Sequence, residues 1–438
     1  MNEHTDREIR VLLLLDESWN DDLYPNNNMT NWFGGFEHIR LFTVSGSSTY
    51  PKNDCCDDYF MIGENEMIKS LFGGKKVGHE YRLDKDTAAK EPASRVDVGE
   101  NAGIKRIFSC ETARLCQDLV WRFGRYDTEK LKDFLGKVKP DVIFSQRRAN
   151  VKMCRLESTV LKYCDAPMLV YTGDDDYSLR QFSLSPVFWL RRFWVRKWIK
   201  KMMKQYRLVY SQSKSQMEEF EKAFGVDTEF LVKCGEFTED KVHKTVHSPI
   251  HLVYAGKLYC NRWRTLKKTA DEIAKINHES GDAGFVLDIY TRDRISKKQN
   301  RALNDGVNSI IHGAAAPEEL AAIYQNSDIT LHVEGLDLRN RLLTRHSFST
   351  KVMDCLGSGC ALMIFSWKEH SAYRVFSESG AAFTVDSGQR LYEVLSEIRR
   401  DSAVITDYAN RAFVYGIENH NKKMIQKMLY EDFRKAVN

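Results

Sequence analysis

At 438 residues the chain is too long for one compact core and fits two domains of ordinary size. Its 42% hydrophobic and 11% aromatic content is that of a packed globular protein, and a net charge of +4 leaves any basic partner surface to local clustering. Ten cysteines without a CxxC spacing exclude a disulfide scaffold and read as reduced thiols of a cytosolic protein, while the absence of any run of about 18 apolar residues excludes an integral membrane protein. The opening MNEHTDREIR has no apolar signal-peptide core.

Ile9 to Leu15 is a continuous apolar run ending in Asp16-Glu17-Ser18, which predicts a first parallel strand with a polar loop at its carboxyl end. That loop extends to Gly34-Gly35. Glycine there lets backbone approach a ligand, so Gly34 and Gly35 are acceptor-side candidates, with a plain turn as the alternative. His38 follows, either structural or facing an acceptor. Ile39 to Val44 predicts a second strand. From about 45 to 105 the sequence is polar and poorly periodic, which predicts long loops or an inserted subdomain over an acceptor site. Within it Cys55-Cys56 reads as an exposed loop or, among its aspartates, a metal ligand pair; Gly73-Gly74-Lys75-Lys76 lacks the Walker spacing. Helices are predicted at Thr112 to Phe123, Thr128 to Val138 and Val151 to Tyr163, with strands at Asp141 to Ser145 and Met168 to Tyr171. This alternation implies a parallel sheet covered on both faces. Asp174, within Thr172-Gly173-Asp174-Asp175-Asp176, then stands at a strand's carboxyl end, to position an acceptor sugar, attract a cation or make a solvated turn.

Between Asp176 and Glu218 there is no acidic residue. Arg191, Arg192, Arg196, Lys197, Lys200, Lys201, Lys204 and Arg207 share this stretch with Phe188, Trp189, Phe193, Trp194, Trp198 and Tyr206. On a helical wheel Val195, Ile199, Met202 and Tyr206 fall together and Arg196, Lys200 and Lys204 fall elsewhere. An amphipathic cationic helix with aromatic edges over 186–207 fits an anionic membrane surface; a core helix with a solvated basic face and a nucleic-acid footprint are the rivals, the last not expected. Leu208 to Ser211, the SKSQMEEFEKAFGV helix and Thr228 to Val232 close a first domain at 235, and the polar span 236–249 is the linker.

The second domain, 250–415, reads as a doubly wound sheet. Ile250 to Ala255 is its first strand, Gly256 a tight turn, and Lys257 and Arg262 follow five apart. Further strands are expected at Phe285 to Tyr290, Ile310 to Gly313, Asp328 to Val333, Ala361 to Phe365 and Ala381 to Val385, with helices from Pro317, from Gln389 to Arg399 and on to Val437. In the stretch Thr344 to His370, Ser349 and Thr350 are N-cap residues before a helix whose dipole and free N–H groups suit a phosphate. Lys351 adds a cation, and Asp354, one turn on, suits a ribose hydroxyl pair. An ordinary capped helix with a surface Lys-Asp pair is the bland alternative.

The segment FSTKVMDCLGSGCALM resembles the nucleotide-sugar segment of bacterial glycosyltransferases with the GT-B fold, in their family-4-like branch. Gly256, Lys257 and Arg262 resemble that family's Gly-Arg-Leu-x-x-x-Lys pattern, whose two cations clamp the donor diphosphate. Asp354 stands where the family places the second Glu of a Glu-x7-Glu pair; the first would fall at His346. Glu334-Gly335 resembles the family's Glu-Gly opening but stands too far upstream unless the loop is enlarged. The resemblance runs from about Asp141 to the C-terminus. It implies two Rossmann-like doubly wound α/β domains, with C-terminal helices (416–438) crossing back to the first. It also implies a nucleotide-diphosphate sugar as co-substrate, no cofactor, no required metal, and retention of configuration in a hexosyltransferase of surface-polysaccharide assembly. Lys257, Arg262 and the Ser349-Thr350 helix end would then stabilise the departing diphosphate, Asp354 hold the ribose, and Lys351, Glu334 and His346 line the donor. A glycan or lipid-linked acceptor implies a cytoplasmic protein peripheral to the membrane. A catalytically silent glycan- or partner-binding relative and a sugar-nucleotide epimerase are the alternatives.

Overall fold

The computed structural model describes residues 8–24, 27–84, 111–235, 237 and 245–438. The part of the expected insertion beyond residue 84 and most of the expected linker therefore lie outside the described residues. Two compact units divide the chain. The first takes the described residues up to Leu231 together with Gln426–Asn438; the second is Val232–Ile425.

The first unit is built on eight strands: β1 (Ile9–Leu15), β2 (Ile39–Ser45), β3 (Asp58–Met61), β4 (His79–Arg82), β5 (Val142–Gln146), β6 (Met168–Thr172), β7 (Tyr206–Ser211) and β8 (Thr228–Phe230). Their spatial order is β4-β3-β2-β1-β5-β6-β7-β8. All neighbours are parallel except β3 and β4. Val11 to Leu14 are fully buried because helices cover both faces, which is why β1 reads as an unbroken apolar run. Two expectations need correcting here. The polar region after residue 45, expected as long loops or an inserted subdomain, holds β3, the Glu64–Ser70 helix and β4, and the two strands extend the main sheet; four-residue strands are too short to show periodicity. Cys56 is buried beside Thr43, its thiol pushed up to about 12 by burial, so it is neither an exposed loop residue nor a poised metal ligand. The chain's end completes this unit: Phe433 is fully buried against Phe144, and Tyr210 Oη donates to Asp432 at 3.0 Å.

The basic helix spans Pro186–Met202. Ser185 accepts from the Phe188 N–H and proline takes the first turn, a standard helix start. Val195, Ile199 and Met202 are buried as the wheel predicts, but Tyr206 is not helical: it opens β7. Among the described residues no helix is long and apolar enough to cross a membrane.

The second unit has six parallel strands: β9 (Ile250–Ala255), β10 (Phe285–Tyr290), β11 (Ser309–Gly313), β12 (Ile329–Val333), β13 (Ala361–Phe365) and β14 (Phe383–Val385). They lie in the order β11-β10-β9-β12-β13-β14. The chain walks outward from β9 in one direction, returns, and walks outward from β12 in the other. The connections leaving the carboxyl ends of β9 and β12 thus run in opposite directions along the sheet, and open sheets bind ligands at such a switch point.

Candidate active site

At that switch point Gly256 turns the chain out of β9. A Cβ there would lie 2.7 Å from Tyr254 Oη and 2.9 Å from Lys351 Nζ, so the position admits no side chain without displacement. Lys351 belongs to the short Lys351–Leu356 helix, and its ammonium reaches back to donate to the Ala255 carbonyl at 2.9 Å. Tyr254 Oη donates to the Lys257 carbonyl at 2.6 Å. The loop then passes Cys260 and Asn261, at φ 52° and 59°, into the Arg262–Ser280 helix. It is pressed against the loop after β12. A Cβ on Gly335 would stand 2.0 Å from the Cys260 carbonyl oxygen, Thr265 Oγ1 donates to the Glu334 carbonyl at 2.7 Å, and Asn261 donates to Asp337 at 2.9 Å.

This packing delivers Arg262 to Glu334. The guanidinium meets the carboxylate through Nε at 3.1 Å and a terminal nitrogen at 2.5 Å, Glu334 buried and Arg262 largely so, with the Tyr259 ring 4.7 Å from the guanidinium carbon. Two parallel charge-assisted bonds hold the guanidinium charged, while burial pushes the Glu334 carboxyl up from its ordinary range. Desolvation, with Arg262 and Lys257 nearby, pulls the Lys351 ammonium down. Three cations, one from a loop and two from the first residues of helices, therefore share one sheet end, and their mutual repulsion is what a bound polyanion would relieve.

The remaining candidates are placed as follows. Asp354 is half-exposed and pairs with Lys233 at 3.4 Å. Ser349 and Thr350 precede the helix, but Thr350 is helical in conformation and makes no side-chain cap, and the helix has six residues; the strong capped dipole expected there is not built. His346 is buried and hydrogen-bonds with Arg345. The carboxylate facing Arg262 is Glu334, because the loop after β12 is enlarged by the Leu338–Thr344 helix.

In the first unit, Asp174 is exposed at the carboxyl end of β6, whereas Asp175 and Asp176 are buried against Arg192 at 3.0 Å and Arg147 at 2.6 Å. The acidic run is thus two structural ion pairs and one free-facing acid, not a uniform turn. Two acceptor-side expectations need correcting. The His38 carbonyl accepts from Ile9 N–H at 2.9 Å, which puts His38 at the amino end of β1 and β2, with its ring near Tyr430. Gly34 and Gly35 close the Asn28–Phe33 helix on the return to that same end, the Gly34 carbonyl accepting from Gln426. A surface hollow lined by Lys130, Lys139, Pro140 and Ala166 also opens before β5 and β6, the end away from ligand chemistry.

No family model matches the chain, and no curated protein matches it by sequence. Solved structures do match its fold. The sucrose-phosphate synthase of Thermosynechococcus elongatus superposes with TM-score 0.58 at 10% identity, covering 98% of each chain. An E. coli trehalose-6-phosphate protein, solved bound with UDP-2-fluoro glucose, gives 0.59 at 10% identity over 97% of this chain and 99% of that one. The GtfA/B complex gives 0.51 at 14% identity over 72% of this chain, which spans 61% of the matched GtfA/B chain.

The chain has the GT-B fold. In this GT-B chain Lys257, Arg262, Lys351 and Glu334 come together at the switch point of the second unit. Sequence reasoning missed His332 and His370, both buried beside Glu334. The spacing His332-Val333-Glu334 on a strand, which puts alternate side chains on one side, was the available signal for the first; nothing local marks His370.

Proposed function

We propose that the protein is a hexosyltransferase that moves a sugar from a nucleotide-diphosphate donor to a glycan or lipid-linked acceptor, with retention of configuration, in surface-polysaccharide assembly. The observation that carries this reading is the convergence of Lys257, Arg262 and Lys351 on one end of the second sheet, at its switch point. A sugar leaving a nucleotide diphosphate develops negative charge on the phosphate oxygens, and fixed cations aimed there lower the barrier without a metal. Lys257 and Lys351 supply point charges. Arg262 supplies a fork that matches phosphate oxygens, already oriented by Glu334. Asp354 stands close enough in sequence to Lys351 to take the ribose, and the departing phosphate takes the acceptor's proton. Asp174 marks the acceptor end of the first unit. The UDP-2-fluoro glucose of the E. coli structure supports a nucleotide-sugar donor. Glu334 at the position after β12 favours a working enzyme over a silent binding relative.

The basic helix supports a membrane-bound acceptor. Arg191, Arg192 and Arg196 are held inward by Asp118, Asp175 and the Tyr177 carbonyl. Lys197, Lys200, Lys201 and Lys204 are exposed, and so are Leu184 at 87%, Leu190 at 62% and Phe193 at 55%. Leu190, Phe193, Lys197, Lys200 and Lys204 recur every three or four residues, giving one stripe that is apolar at one end and cationic at the other.

The test is release of nucleoside diphosphate from a panel of nucleotide sugars, with and without lipid-linked and soluble glycan acceptors. Release from at least one donor, lost on Lys257→Ala together with Lys351→Met, is expected. No release from any donor with either acceptor class would overturn the enzyme reading in favour of a binding protein.

A further inference from the structure

Glu334 has a second set of neighbours. His332 lies two residues before it on β12, and His370 sits in the turn after β13, just before the Ser371–Ser379 helix. His332, Glu334 and His370 are 6%, 1% and 0% exposed. His332 Nε2 is 3.5 Å from Glu334 Oε1, and one ligand atom from each of the three residues lies within 4.8 Å of the others. The two imidazoles lie nearly parallel, 23° apart in plane with centroids at 6.0 Å, and Trp367 backs His370 at 4.7 Å. His332 Nε2 and both ring nitrogens of His370 have no hydrogen-bond partner among the described residues. Buried polar atoms left unpaired are costly, and three of them around one carboxylate call for a ligand.

We propose that His332, Glu334 and His370 form a binding site for a single borderline divalent cation, of which zinc is the type. Two imidazole nitrogens and one carboxylate oxygen are the donors such an ion takes, and water fills the remaining position. Burial lowers the basicity of both imidazoles, His370 to about 3, so at neutral pH protons do not compete for the lone pairs. Tetrahedral bonds of about 2.1 Å place ligand atoms roughly 3.4 Å apart. His332 and Glu334 already stand near that spacing, and closure rests on a small movement of the His370 ring. Arg262 keeps Glu334 Oε2 through Nε while Oε1 turns to the ion, so the guanidinium becomes the outer partner that orients the ligand carboxylate. The cation is not a reactant in the transfer proposed above, and its binding does not depend on that proposal.

Cobalt(II) titrated into the full chain reads this site directly. One equivalent is expected to give the intense visible bands of a four-coordinate ion, displaced by zinc and lost in His332→Gln and in His370→Gln. Zinc at about 100 times its Kd should raise the melting temperature by about 5 °C in the wild type and not in those variants. X-ray absorption of the zinc-loaded wild type keeps the test independent of how the variants fold. Nitrogen and oxygen scatterers with two imidazoles are the expected result. Sulfur in the shell, weak six-coordinate cobalt bands, or bands that persist in the double histidine variant would overturn the site.

Discussion

Arg262 is both half of a buried ion pair and a phosphate-binding group, and the two roles separate by mutation. Arg262→Met leaves Glu334 buried without its partner, which should lower stability by about 3–5 kcal/mol in urea denaturation. Adding Glu334→Leu should restore most of that loss while nucleoside-diphosphate binding stays weak in both variants. Recovery of binding along with stability would show that Arg262 acts only as a structural counter-ion. Asp354 is judged by ligand choice: Asp354→Asn should weaken a nucleoside diphosphate by about 1–2 kcal/mol and leave inorganic diphosphate unchanged, because only the former has a ribose. Equal weakening of both would assign Asp354 to its pairing with Lys233 instead. At this scale sequence spacing reads most directly where two residues stand close in the chain, as with Lys257 and Arg262 on either side of the turn into the Arg262–Ser280 helix. Spacing alone did not choose between His346 and Glu334, because an inserted helix lengthens the distance in sequence without moving Glu334 from its strand end.

Elements with unbroken apolar runs were readable residue by residue; β9, β10 and β13 match their predicted bounds because parallel strands covered on both faces have no polar side. The short strands β3 and β4 were not, since pairing with a neighbour, not periodicity, makes them strands. The basic helix was located correctly, yet which of its cations face outward depends on partners distant in sequence, such as Asp118 for Arg191. The structure therefore changes the membrane experiment. Lys197, Lys200, Lys201 and Lys204 changed together to Gln should abolish flotation with anionic liposomes, at roughly 1 kcal/mol of attraction per lysine. Arg196→Gln alone should change flotation little, because Arg196 lies against Tyr177. Flotation of the four-lysine variant at low salt, or equal binding of the wild type to neutral vesicles, would remove the membrane reading.

At the scale of the whole molecule, the second unit carries three histidines, His332, His370 and His420, that burial keeps neutral, with His370 lowered to about 3 and His420 to about 4. Their folded-state values lie below the unfolded value of about 6.5, so as pH falls the unfolded chain takes up protons that the folded chain refuses. Stability is full above about 6.5 and declines toward the folded values, by roughly 2 kcal/mol per histidine at pH 5. His251, raised by its hydrogen bond to Asp288, works in the opposite sense but is one group against three. The urea midpoint should therefore drop between pH 7 and pH 5, and the slope should shrink by one proton in His420→Phe; a flat profile would contradict the burial of neutral imidazoles. The account as a whole rests on the cation cluster at the second sheet's switch point, and calorimetric titration of nucleoside diphosphates into the wild type and into Lys257→Ala/Lys351→Met tests it most directly. At least one nucleoside diphosphate should bind the wild type, with affinity reduced by about 100-fold or more in the double variant, as loss of two charge-assisted contacts requires. Unchanged affinity in the double variant, or no binding of any nucleoside diphosphate to the wild type, would contradict it.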